Sequence, residues 1–116
     1  MSTKKYTDQV TVTDKTAAFT VAAANSRAVF TDKGATSPVT FSLPAAATGL
    51  AYTFIQRATA ALTVAAPKGA VIADGGVASG DGGAAVSSSA GSVLALVAVD
   101  GATWQVIYKS GTWTVK

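Results

Sequence analysis

The chain has 116 residues, of which 49% are hydrophobic and 13% charged, with a formal net charge of +3 and neither Cys nor His. Ordinary soluble domains carry about 25% charged residues, so this composition excludes a disordered chain and predicts one domain whose surface is largely uncharged and suited to contact with another protein. A disulfide framework is excluded, as are the commonest general base and the two commonest zinc ligands. The nine bases are scattered and only Lys4 and Lys5 adjoin, whereas a nucleic-acid protein shows a clustered basic stripe.

In chain order, residues 1–9 read as a polar N-terminal arm and residues 10–116 as a single β domain. The arm lacks the apolar region of a signal peptide. Its Lys4, Lys5 and Tyr6 are candidates for binding a partner through charge-assisted hydrogen bonds. Val10 to Thr13 and Phe19 to Val21 alternate apolar and polar residues. So do Val39 to Leu43, Leu50 to Phe54 and Leu62 to Val64. Period two is the signature of half-buried strands. Ala45 to Gly49, after Pro44, suggests one helical turn stopped by glycine. Residues 74–92 are rich in Gly, Ser and Ala and read as a long loop with a weak strand near Ala84 to Ser88.

Val93 to Val99 is apolar on both faces and predicts the most buried strand. It is too short to cross a bilayer as a helix, which needs about 20 residues. Thr103 to Lys109 places Trp104, Val106 and Tyr108 on one face, and Trp113 shares a face with Val115. Asp100-Gly101 and Ser110-Gly111 separate these segments as tight turns. They predict a three-stranded antiparallel meander, with positive φ supplied by glycine. The fold class expected is an all-β sandwich or barrel of short antiparallel strands with this meander at its C-terminus. Phe41, Tyr52, Phe54, Trp104 and Trp113 are its candidate core or interface aromatics.

Chemistry-bearing residues are few. All six acids are Asp, and most sit where Asp caps a turn. Asp74 and Asp81 lie in the glycine-rich stretch, which matches neither a calcium loop nor a phosphate-binding loop. No catalytic residue, metal site or cofactor is expected, and the chain is not expected to be an enzyme.

Three blocks carry a resemblance. The first runs from Pro38-Val39-Thr40-Phe41-Ser42-Leu43-Pro44 through Gly49 to Ile55, and the second is Leu62 to Gly69. The third is Gly91-Ser92-Val93-Leu94 with Asp100-Gly101-Ala102-Thr103-Trp104 and Gly111-Thr112-Trp113. Residues 38 to 113 resemble the small β modules of tailed-bacteriophage virion proteins, found in head-decoration proteins, head fibres and tail fibres. The resemblance implies a homotrimer without enzymatic activity. A short chain with no repetitive shaft is expected to be a capsid decoration, or cement, protein. Its partners would be itself and the major capsid protein, without direct contact to nucleic acid or membrane. Its place would be the outer capsid surface, after synthesis in the host cytoplasm. The other expectation from the same resemblance is a tail-fibre or head-fibre module that binds a host-surface glycan.

Overall fold

Alternation in the first half of the chain becomes six short strands that switch sheets at every step. The computed structural model describes residues 9–116. Its first strands are β1 (Val12–Asp14), β2 (Phe19–Thr20), β3 (Val29–Thr31), β4 (Val39–Ser42), β5 (Ala51–Ile55) and β6 (Leu62–Ala65). Strands β1, β3 and β5 lie side by side in one sheet, all parallel. Strands β2, β4 and β6 do the same in the other. Each odd–even pair is thus one turn of a short two-layered parallel solenoid, and the trip through the opposite sheet supplies the crossover that parallel pairing needs. The register superposes like on like: Phe30 pairs with Phe54 and Phe19 with Phe41.

The second half closes the last solenoid turn. It comprises β7 (Val71–Asp74), β8 (Val77–Ala78), β9 (Ala84–Ser87), β10 (Val93–Ala98), β11 (Thr103–Ser110) and β12 (Trp113–Val115). β10 runs antiparallel beside β5, and β9 antiparallel beside β6. The result is a seven-stranded sheet ordered β1-β3-β5-β10-β11-β7-β8, packed on a five-stranded sheet ordered β12-β9-β6-β4-β2. β10 is the central strand of the larger sheet.

The fold is the all-β sandwich expected, but several details of the expectation are corrected. The strands are not uniformly antiparallel, because the β1–β3, β3–β5, β2–β4, β4–β6 and β7–β11 pairs are parallel. Period two fixes which face a residue takes and is the same for either strand direction. The C-terminal meander is also corrected. β10 and β11 form the expected hairpin, but after Gly111 the chain crosses to the smaller sheet, where β12 pairs with β9. Ala45 to Ala47 are not helical; a turn at Thr48 and Gly49 follows them, with Gly49 at φ 97°. The one 3-10 turn among the described residues is Ala23–Asn25. In the stretch 74–92 the strand expected near Ala84 to Ser88 is β9, but the rest is not all loop: β8 lies within it, and β7 ends in it.

The core between the sheets is aromatic. Phe30 stacks on Phe54 at 5.7 Å between ring centroids, and Phe41 sits 5.5 Å from Phe30 and 5.3 Å from Phe54. Tyr52 continues the cluster to Trp104 at 5.7 Å. Such pairs add about 0.5–1.5 kcal/mol each beyond the area they bury. The Tyr52 hydroxyl donates to the Ala22 carbonyl at 2.8 Å, and burial pushes its pKa up. Two buried polar side chains tie loops to this core. Asp32 Oδ1 accepts the Arg57 and Ala58 amides at 2.6 and 2.9 Å. Gln56, just after β5, accepts the Ser87 hydroxyl of β9 at 2.6 Å and donates to the Ala58 and Ala60 carbonyls. The Gln56–Ser87 bond joins the two sheets directly.

Candidate functional site

Carboxylates are the natural place to look for chemistry, and each described one is engaged or isolated. Asp74 forms an ion pair with Lys109. Asp81 Oδ1 accepts the Gly69 amide at 2.6 Å, and Asp14 accepts the Thr31 hydroxyl. Asp100 Oδ1 accepts the Ala102 amide at 2.8 Å. Among the described residues no three potential metal ligands come together. A cavity of about 440 Å³ opens beside β1, lined by Thr11, Asn25, Ser26 and Arg27 among others. It gathers no acid and no nucleophile paired to a base.

The structure separates the residues singled out from sequence. Lys4, Lys5 and Tyr6 lie outside the described residues. Phe41, Tyr52, Phe54 and Trp104 are fully buried in the core, and Trp113 is buried with its indole N–H donating to the Ser110 carbonyl at 3.1 Å. Neither Trp offers a face to a ligand. At Asp100-Gly101 the turn is held by the Asp100 side chain, and Gly101 is not among the glycines with positive φ. A Cβ at Gly101 would meet open space. That corrects the expectation that this glycine is required for its backbone. Gly111 is the demanding one: its φ is 79°, and a Cβ there would collide with Ser92.

The feature that stands out is the outer face of the seven-stranded sheet. Inward residues of β5 and β10 (Tyr52, Phe54, Leu94, Leu96, Ala98) are buried, and the residues between them are only half-buried. The register lines these outward residues up across strands. One row runs Val12, Val29, Thr53, Ala95, Tyr108; the next runs from the buried Thr31 to Ile55, Val93, Ser110; a third runs Ala51, Val97, Gln105, Ala73. Asp14, beside Thr31 on the edge strand β1, is the one charge on these rows. Arg27 and Arg57 flank β3 and β5, so apart from Asp14 on the edge strand charge rims the face.

A bulge completes the face. The β10–β11 register shifts between Ala95 and Leu96, so that Ala95 pairs with Tyr108 and Leu96 with Val106, and Ile107 has no partner. Tyr108 is thereby turned to the outer face, away from the inward Trp104 and Val106; this corrects the expectation that the three share a side. Ile107 and Tyr108 are 62% and 58% exposed. A signal for them was present in the sequence: Val106-Ile107-Tyr108 is a run of three bulky apolar residues in an otherwise alternating strand, and a bulge re-aims such a run.

The opposite outer face differs. On the five-stranded sheet the rows are Thr40, Thr63, Val86, Thr114 and Thr20, Ser42, Ala65, Ala84. That surface is hydroxyl-rich, with Lys116 beside Ala84 at its edge. The class defined by this architecture is an all-β sandwich of two mixed sheets, one of them with a half-exposed apolar outer face. The chain matches no protein-family model and no curated protein.

Proposed function

We propose that the chain is a structural assembly subunit: a decoration protein that oligomerises on the outer surface of a tailed-phage head and stiffens the shell. The observation that supports this reading most is the half-exposed apolar outer face of the seven-stranded sheet. A monomer gains nothing from leaving Val93, Val97, Ile107 and Tyr108 against water. Each Å² of apolar surface covered by a neighbour contributes about 25 cal/mol before the costs of association. A shell subunit converts that gain directly into resistance to internal pressure, with no reaction to catalyse and no cofactor to hold. The sequence resemblance over residues 38–113 supplies the rest: a homotrimer, the major capsid protein as partner, and the capsid exterior as location. A glycan-binding fibre module is the other reading of that resemblance. It calls for aromatic platforms grouped in a groove; both Trp side chains are buried, and the exposed Tyr108 lies on a flat sheet face beside aliphatic residues, so the assembly reading is favoured.

The test is to mix the purified protein with undecorated heads of its cognate phage. Saturable attachment at symmetry-related positions is expected, together with a higher force or temperature needed to rupture the heads. Heads that neither take up the protein nor change in strength would overturn the proposal.

A further inference from the structure

The central strand β10 reads as covered on both sides, yet the described residues cover only one. Leu94, Leu96 and Ala98 are buried against the smaller sheet, while Val93, Ala95 and Val97 face outward half-buried. Strands apolar on both faces belong to sheets packed on both faces. Beside β10 on one flank stand Ile107 and Tyr108, raised by the bulge; on the other the register places the smaller Thr53 and Val29. The face is therefore a knob beside a flat.

We propose that other copies of this same chain cover this face, packed about a symmetry axis that runs along β10. The β11 half of one copy then meets the β5–β3 half of the next, and Tyr108 and Ile107 seat over Thr53 and Val29. This rests on the assembly reading and specifies its self-contact. Two observations favour a second copy as occupant. The first is charge: a charged partner would bury its own charges without counterparts on these rows, which is costly, whereas a copy brings only Asp14, which lies on the edge strand and accepts the Thr31 hydroxyl. The second is area. Strands about 4.8 Å apart and about 3.3 Å of rise per residue make the face from β1 to β7 roughly 24 by 20 Å. Each copy thus commits on the order of 500 Å², and a trimer closed about the axis covers on the order of 1,400 Å² in all, within the range of specific associations. An axis along the central strand also lets the contact close on itself, as finite oligomers require.

The chain has no Cys, so engineered thiols report this geometry without background. In the Thr53→Cys, Tyr108→Cys double variant, mild oxidation is expected to link copies covalently into a ladder that stops at the oligomer size. Cysteines at Thr40 and Thr63 on the opposite face are expected to give no such ladder. Ile107→Lys with Tyr108→Lys is expected to raise the dissociation constant measured by sedimentation on the order of a hundredfold, as loss of anchor residues does. Circular dichroism of each variant checks that the β fold is kept. An oligomer that persists in the double-Lys variant, with no link between residues 53 and 108, would overturn this geometry and leave the assembly reading standing. A wild-type chain that stays monomeric at all concentrations, yet attaches to heads, would overturn the self-contact alone. A chain that does neither overturns both.

Discussion

The two outer faces of this sandwich are built by the same chain on the same core, yet they are finished differently. The seven-stranded sheet turns mainly Val, Ile, Ala and Tyr to the outside, with Thr53, Gln105 and Ser110 among them; the five-stranded sheet turns mainly Thr, Ser and Ala. The inner faces are equally apolar, so the difference is not a demand of folding. Threonine serves a sheet as well as valine does, by the same β-branched fit to the pleat. A face that could have been finished wholly in Thr but was finished largely in Val, Ile, Ala and Tyr, with a bulge lifting Ile107 and Tyr108, is the face on which the proposed assembly rests. The hydroxyl-rich one satisfies sheet propensity and remains wettable.

That comparison holds only if both faces hang on one cooperative core, and the largest expected effect tests this. Phe41 belongs to β4 of the smaller sheet and Phe54 to β5 of the larger; both are fully buried and 5.3 Å apart. Truncating a buried Phe to Ala costs about 3–5 kcal/mol. Phe41→Ala and Phe54→Ala are each expected to fall in that range by urea unfolding, with one shared transition. A variant that melts one sheet and spares the other would show two independent layers and break the comparison.

A smaller effect is expected where the chain passes from one sheet to the other. Gly111→Val must adopt φ near 79° and displace Ser92. The strain alone is on the order of 1–3 kcal/mol, and the displaced neighbour adds to it. Gly101→Val, in the preceding turn, meets open space without positive φ and is expected to change stability by no more than about 0.5 kcal/mol, as exposed substitutions do. Thermal melts of the two variants side by side give the answer. Equal destabilisation would mean that the Asp100 side chain does not hold its turn.

Much of this architecture was legible as faces and little of it as neighbours. The alternations at Val39–Leu43, Leu50–Phe54 and Leu62–Val64 announced β4, β5 and β6, and Asp100-Gly101 announced the β10–β11 hairpin. Val29-Phe30-Thr31 went unseen because three residues between turn signals are too few to show a period. Val71 to Asp74 and Val77-Ala78 were masked by the glycine around them. Parallel pairing through alternate sheets leaves no local mark, since partners such as Phe30 and Phe54 are 24 positions apart. The candidate face was half legible. Two-sided apolarity at Val93–Val99 was plain in the sequence, but it suggested deep burial, and only the topology shows that the described residues leave one side open. The bulge at Ile107 depends on the register with β10, so no reading of β11 alone assigns Tyr108 to its side.

The smallest expected change in stability gives the sharpest contrast between the faces. Val93→Thr with Val97→Thr exchanges methyl for hydroxyl on the larger sheet, at half-exposed positions where shape and sheet propensity are kept. Thr40→Val with Thr63→Val makes the reverse exchange on the smaller one. Each pair is expected to move monomer stability by no more than about 1 kcal/mol, since single surface changes stay within about 0.5 kcal/mol. Self-association measured by sedimentation is expected to weaken in the first pair and stay unchanged in the second. The reason is that a hydroxyl buried at a contact without a partner costs about 1–3 kcal/mol, while a hydroxyl left in water costs nothing. Weakening in both pairs, or in neither, would mean that the two faces are equivalent in use and that their difference in composition has no role in assembly.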